Sequence, residues 1–368
     1  MDSAWLVHAG TSLLVVLLRT KPPGRRLTCA LTPEAGESEA CTPSCKGSAR
    51  VSMGQDTPPN RAMTSTSSNR EAAGSGQSIT APAPGTTPAI RAVHAVRTGS
   101  VDQHPEHRFG TRKPQLWWVL TSRRWVRAPI YCFLIEHRSG LVLFDTGLDP
   151  AIASDPGYID SAIGRFILRK VFRLHIGSED SLDQRLTALG FSASDVSTAA
   201  VSHLHFDHIG GIAHIPQADL LVSKEEWAQL SHPRPEREWV LREHIELPDA
   251  RWKPIDFTET EDPLFAPFGG CHDVMGDGSM VLLPTPGHSP GSMSMLVRSD
   301  NLPPLLLVGD LNYQLDLLMN DRVPGIGNAS QLRASFAKVR ALLEQLPDLL
   351  VLPAHDWSAV EALAALRP

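Results

Sequence analysis

The sequence predicts an α+β domain, with sheets packed on each other and helices outside, preceded by a disordered extension. Three observations lead there. Composition changes near residue 90, strand-like runs outnumber helical ones beyond it, and the two halves of that region repeat one style with reactive side chains at the ends of apolar runs. With 368 residues and 42% hydrophobic content the chain can bury a large core, and a net charge of -6 offers no general attraction for nucleic acid. No stretch approaches the roughly 18–20 apolar residues that span a bilayer. The expectation is a cytoplasmic protein with no nucleic-acid partner and no stable membrane insertion.

Between Trp5 and Phe109 there is no Phe, Tyr or Trp, and residues 50–88 are dominated by Ser, Thr, Pro, Gly and Ala. Such a segment buries too little apolar area to offset its chain entropy. Residues 1–88 are therefore expected to be a low-complexity, disordered extension, with one folded domain over 89–368. "SLLVVLL" at 12–18 resembles the apolar core of an export signal. Yet no basic residue precedes it, and "RTKPPGRR" stands where a small-residue cleavage site belongs. An extension upstream of an internal start at Met53 or Met63 is preferred over a weak signal. The five cysteines contain no CxxC pair, which excludes a zinc ribbon and supplies no obvious disulfide framework. Cys132 reads as a small buried strand residue.

The elements follow in order. "QLWWVL" (115–120), "IYCFLIE" (130–136) and "GLVLFDTG" (140–147) are short aromatic or β-branched runs separated by polar breaks, hence strands. "SEDSLDQRLTALGF" (178–191) has a Ser cap, an acidic first turn, helical apolar spacing and a terminating glycine. Strands "STAAVS" and "DLLVS" come next, then a helix in "KEEWAQL". The second half offers strands "SMVLLP", "SMSMLV" and "PLLLVGD", a helix over about 330–346, the strand "LLVLP" and a last helix from Ser358.

"SHLHFDHIGG" (202–211) holds three histidines and an aspartate within six positions. In an extended conformation His203 and His205 project to one face while Leu204 faces the core. Asp207 and His208 lie just beyond, where a loop entering a helix can turn them toward a neighbouring point, and Gly210 and Gly211 let backbone pass close by. This density of polar donors is hard to bury without a metal. A zinc ion takes about four ligands and a catalytic one leaves a position for water, so four side chains at this spacing suggest two half-sites that need more ligands. Three later runs end on suitable groups: His288 in "TPGHSPG", Asp310 in "LLLVGD" and His355 in "VLPAHD". Each alone is as readily a polar residue opening a loop.

The order "HLHFDH", "TPGHSPG", "GD", "PAHD" resembles the metallo-β-lactamase superfamily over about residues 90–368. The resemblance implies an αββα sandwich and two Zn2+ ions per chain, with other divalent transition metals as alternatives. It assigns His203, His205 and His288 to one ion, Asp207, His208 and His355 to the other, and Asp310 as the bridge between them. "FDTG" is similar to an early aspartate turn of the superfamily, which makes Asp145 an orienting residue behind the ligands.

Superfamily membership leaves the substrate open. "SHLHFDHIGG", "TPGHSPG" and "GDLNY" together resemble the N-acyl homoserine lactone lactonases, in which a tyrosine three residues after the bridging aspartate helps to hold the substrate carbonyl. Tyr313 stands there, Phe206 supplies the aromatic inside the zinc motif, and Gly327, closing "RVPGIG", falls in a loop beside the substrate. The implied chemistry is opening of the lactone ring by a metal-bridging hydroxide, with Tyr313 on the oxyanion and Asp207 carrying the proton to the leaving alkoxide. The substrate is then a small acyl lactone; oligomeric state is open, a homodimer included. A buried core tyrosine is the plainer reading of Tyr313.

Phe166, with Ile163, Ile167, Val171 and Phe172, suits an amphipathic core helix or, alternatively, a lip over the metals against the acyl chain. The basic runs "RFGTRKPQ" and "TSRRWVR" read as solvated charge, and His107 as a surface or hydrogen-bonded residue. Other lactones, thioesters, sulfate esters and phosphodiesters are alternative substrates on the same metals. A noncatalytic metal-stabilised binding protein is the alternative of another class.

Overall fold

In the computed structural model the described residues are 88–366 and two short strands, β1 (Trp5–Ala9) and β2 (Ser12–Val16), which pair antiparallel. The expected disorder of 19–88 lies outside the described residues. The strands that follow are β3 (Ile90–Gln103), β4 (Val126–His137), β5 (Gly140–Phe144), β6 (Phe172–His175), β7 (Val196–Ala200), β8 (Asp219–Ser223) and β9 (Arg251–Ile255). They form a seven-stranded sheet in the order β6-β3-β4-β5-β7-β8-β9. Pairing is antiparallel from β6 through β5 and parallel from β5 through β9.

A second sheet of five strands takes β10 (His272–Asp273), β11 (Met280–Pro284), β12 (Met293–Ser299), β13 (Leu302–Leu307) and β14 (Leu350–Leu352) in sequential order. Its first three pairings are antiparallel and the last is parallel.

Side-chain alternation explains why the sheets stack. On β4, Tyr131, Phe133 and Ile135 point into the space between sheets, where they join Met280, Leu282, Met293, Met295, Leu305 and Leu307 from the second sheet. The intervening Cys132 and Leu134 face the other way, under helix α5 (Leu182–Ala188), beside Leu182 and Leu186. The second sheet behaves likewise: Leu283, Leu296 and Leu306 turn outward onto Phe336, Val339 and Leu342 of α10 (Ala329–Gln345). The methionines of "GSMSMLV" are thus inter-sheet core, and the four layers are α, β, β and α, as the resemblance implies.

The remaining helices are short: α1 (Pro105–Phe109), α2 (Gln115–Thr121), α3 (Ala151–Ser154), α4 (Ala162–Val171), α6 (Phe206–Ile209), α7 (Lys224–Trp227), α8 (Arg242–Ile245), α9 (Leu315–Met319) and α11 (Trp357–Ala364). α2 corrects the expectation of a strand at "QLWWVL". Pro114 opens this helix, Trp118 is buried inward, and Trp117 and Leu120 are exposed. A run of five apolar residues carries no period that separates strand from helix, and its aromatic content favoured the wrong one. No helix among the described residues is long and apolar enough to cross a membrane.

Candidate metal centre

All the residues singled out as ligands lie beyond the carboxyl ends of neighbouring strands, on one rim of the sandwich. Residues 201–205 leave β7 in extended conformation and His205 caps α6, with Leu204 buried in the core below. His288 follows β11, Asp310 follows β13 and His355 follows β14. Three groups of side chains bring ligand atoms within 4.8 Å of one another: His203, His205 and His288; His203, His208 and Asp310; and Asp207, His208 and His355. Asp310 sits between the sets. Its Oδ1 is 3.2 Å from His208 Nε2 and 3.0 Å from His355 Nε2, while Oδ2 is 3.5 Å from His288 Nε2.

The donors fit a cation better than each other. His203 Nε2, His208 Nε2 and Asp310 Oδ1 are buried without a hydrogen-bond partner. Converging, unsatisfied buried polar atoms are expensive unless something else binds them. Burial, reinforced by neighbouring imidazoles, holds His203 well below its ordinary range, and burial brings His205 and His288 to about 3, so these rings offer lone pairs. Burial opposes charge on Asp310, yet His355, His208 and His288 hold its carboxyl well below the usual range. Three neutral imidazoles and a carboxylate at this spacing suit borderline transition ions such as zinc.

Asp145 organises the group from behind. It follows β5 with φ 64°, and its Oδ2 accepts from His208 Nδ1 at 2.9 Å. The same carboxylate accepts from Ser202 N at 2.6 Å and Ser202 Oγ at 2.9 Å, and that hydroxyl lies 2.9 Å from His203 Nδ1. One side chain therefore fixes two imidazoles. His355 is oriented separately, its Nδ1 donating to Pro129 O at 2.7 Å. Glu226 ties the two histidine loops together: Leu204 N, Ser289 Oγ and Gly291 N all donate to its buried carboxylate.

The centre opens on a cavity of about 1330 Å³ lined in part by Val101, Ile167, Val171, Phe172, Phe206 and Leu241. Asp207 and Tyr313 also line it. Tyr313 is 1% exposed, and its hydroxyl donates to Asp310 Oδ2 at 3.2 Å. Burial, then the Asp310 charge, pushes the phenol well above its ordinary range, so it remains a donor. Phe206 is buried against Phe172 and Trp239 in edge-to-face contacts. Gly327 lines the cavity with φ 83°, and a Cβ there would stand 2.4 Å from Gly287 O in the His288 loop, so only glycine fits.

Phe166 is not brought to this site. It is 62% exposed and absent from the cavity wall, to which the same helix contributes Gly164, Ile167 and Val171. At about 100° per residue, those three share a face and position 166 points roughly 130° away from it. The lip is real, and its residues are the neighbours of the one expected.

His107 and Arg108 are the residues whose roles sequence reasoning missed. His107 is buried, with Nε2 3.0 Å from the Tyr313 hydroxyl. Arg108 is buried beside it and donates to His355 O at 2.8 Å and Tyr313 O at 3.0 Å. Both come from α1, about 100 residues before the ligand motif. No spacing pattern connects them to the site, and only the Pro at the helix start marks the segment as structured.

The comparisons with known proteins agree with this geometry. The metallo-beta-lactamase superfamily profile matches residues 125–355. The N-acyl homoserine lactonase AttM of Rhizobium radiobacter is 30% identical over 242 residues, covering 63% of this chain and 83% of the relative. An N-acyl homoserine lactonase from a Bacillus species is also 30% identical, over 220 residues, covering 60% of this chain and 78% of the relative. Among solved structures, an N-acyl homoserine lactone hydrolase with N-hexanoyl-L-homoserine at its catalytic metal centre superposes with TM-score 0.60 at 21% identity, covering 74% of this chain and 96% of that one. A Bacillus thuringiensis AiiA variant with N-decanoyl-L-homoserine bound at its active site gives the same score, identity and coverage. Sequence and structure together show that the chain belongs to the metallo-beta-lactamase superfamily and is a hydrolase of its N-acyl homoserine lactonase family.

Proposed function

We propose that this protein opens the ring of N-acyl homoserine lactones at a centre holding two zinc ions. The observation that carries the reading is the convergence of seven ligand-type side chains, from four separate segments, at the base of a cavity with an apolar wall. His203, His205 and His288 would hold one ion, Asp207, His208 and His355 the other, with Asp310 between. When bound, such ions supply Lewis acidity and make water a nucleophile at neutral pH.

The chain's own residues do the rest. Tyr313 keeps its proton, which Asp310 Oδ2 accepts in this structure and which would turn to the lactone carbonyl oxygen as negative charge grows there, while His107 Nε2 holds the phenol oxygen. Asp207 lies at the cavity edge, 3.5 Å from His355 Nε2, positioned to pass a proton to the departing ring oxygen. Phe206, Ile167 and Val171 give the acyl chain an apolar surface, and Gly327 lets backbone approach the lactone. The work is assigned to the cytoplasm, since the cysteine spacing supplies no disulfide framework and suits a reducing compartment.

The test is an assay of the zinc-loaded protein on N-acyl homoserine lactones of several chain lengths, simple lactones, a thioester, a β-lactam and an activated phosphodiester. Acyl homoserine lactones are expected to turn over fastest, with about two metal ions bound per chain. Intact lactones alongside rapid turnover of another class would sink the reading.

A further inference from the structure

The cavity mouth carries a surface that the hydrolytic reaction does not use. Trp117 and Leu120 on α2 and Phe166 on α4 are 61%, 70% and 62% exposed. The two helices touch, and the buried His104 clamps their ends, its ring nitrogens each 3.1 Å from a carbonyl, Arg124 O beyond α2 and Lys170 O in α4. Residues 111–125 hold four basic side chains and residues 161–174 another four, with no Asp or Glu in either segment, in a chain whose net charge is -6. Arg112, Lys113, Arg123, Arg124, Arg169 and Lys170 are exposed around the apolar tips.

The first segment alone reads as solvated charge and the second as an amphipathic helix. Folding places them side by side, with aromatic and aliphatic tips among basic side chains, one of which, Lys113, lies 4.0 Å from Glu106. That pairing matches the interfacial region of a bilayer, which takes up Trp, Phe and Leu tips while anionic headgroups attract Lys and Arg. A nucleic acid would use the charge and could stack on the rings but has no use for exposed Leu120. The same two segments line the cavity, through Lys113, Pro114 and Val119 on one side and Gly164, Ile167 and Val171 on the other.

We infer that the α2–α4 face docks reversibly on an anionic membrane surface and holds the cavity mouth against it. The inference stands whichever amphiphile the centre hydrolyses. If the substrate carries an acyl chain, docking places the mouth where that chain partitions.

The test is co-sedimentation of the full-length, metal-loaded protein with vesicles of phosphatidylcholine alone or mixed in equal parts with phosphatidylglycerol. Binding is expected only to the anionic vesicles and is expected to weaken at high salt. Arg123→Glu with Arg124→Glu, and separately Trp117→Ser with Leu120→Ser, should each lower the partition coefficient about tenfold or more with unchanged circular dichroism. Three results would overturn it: no binding to anionic vesicles, binding that both double variants retain, or a dimer seen by light scattering that the Trp117→Ser, Leu120→Ser chain loses. Tighter binding to an RNA oligonucleotide, insensitive to Trp117→Ser and Leu120→Ser, would overturn it as well.

Discussion

The ligand cluster and the cavity wall above it are built in opposite ways. The cluster draws on short segments that each end a strand, so a few consecutive residues bring their own geometry: His203 through His208 span one extended stretch and one helical turn. The wall draws on α1, α2, α4 and the 322–327 loop, and of these only the loop, through "RVPGIG", carries a readable motif. It is assembled by contacts such as Gly325 N donating to His107 O at 2.8 Å and Arg322 donating to Phe109 O at 3.1 Å. Chemistry fixed by strand ends needs little sequence to write. A binding surface made from loops can vary while the chemistry stays.

Substitutions can break this contrast, and the largest effect belongs to the cluster. Asp310→Ala removes the carboxylate facing His208, His288 and His355, and the expected outcome is one tightly bound metal instead of two and loss of measurable turnover. Metal analysis after gel filtration checks it; a variant that still binds two ions would remove Asp310 from its bridging role. Next comes Tyr313→Phe, which deletes the hydroxyl proposed to meet the oxyanion. A loss of about 10²–10³ in kcat is expected, with metal content unchanged.

Asp145→Asn leaves every ligand in place but unsettles His208 and, through Ser202, His203. A loss of about 10–100-fold in metal affinity is expected, read by competition with a chelator. If affinity is unmoved, the ligands are held by packing and not by Asp145.

His107 tests the wall. Burial, then the neighbouring His288 imidazole, lowers it to about 3, below the ordinary 6.5 of the unfolded chain. Its contribution to stability is therefore complete above pH 6.5 and is lost as pH falls toward 3, at up to about 1.4 kcal/mol per pH unit. In chemical denaturation the wild type should lose stability relative to His107→Gln across that window. Parallel curves would place a charged imidazole beside Tyr313. The smallest effect is expected at Phe166. Phe166→Ala should change KM for a soluble acyl lactone by less than about twofold, since remote surface changes are commonly near neutral, whereas a large rise would return that ring to the cavity.

Legibility followed the range of the interactions. The ligand motif, the aspartate turn and most strands were readable because alternation and turn chemistry act over a few residues. Phe166 was misplaced because helical spacing identifies an apolar face without saying what lies opposite, and "QLWWVL" because five apolar residues suit two periods. His107 offered no local pattern at all.

The sequence by itself determined the cluster of ligand-type side chains, the sandwich and the family, since those rest on local backbone geometry and on residues whose reactivity is intrinsic. Only the tertiary structure decided which side chains wall the cavity, that His107 and Arg108 support Tyr313, and that two basic runs 40 to 60 residues apart form one face. Those outcomes depend on long-range packing, where the partner of a residue is set by the path of the whole chain and not by its neighbours in sequence.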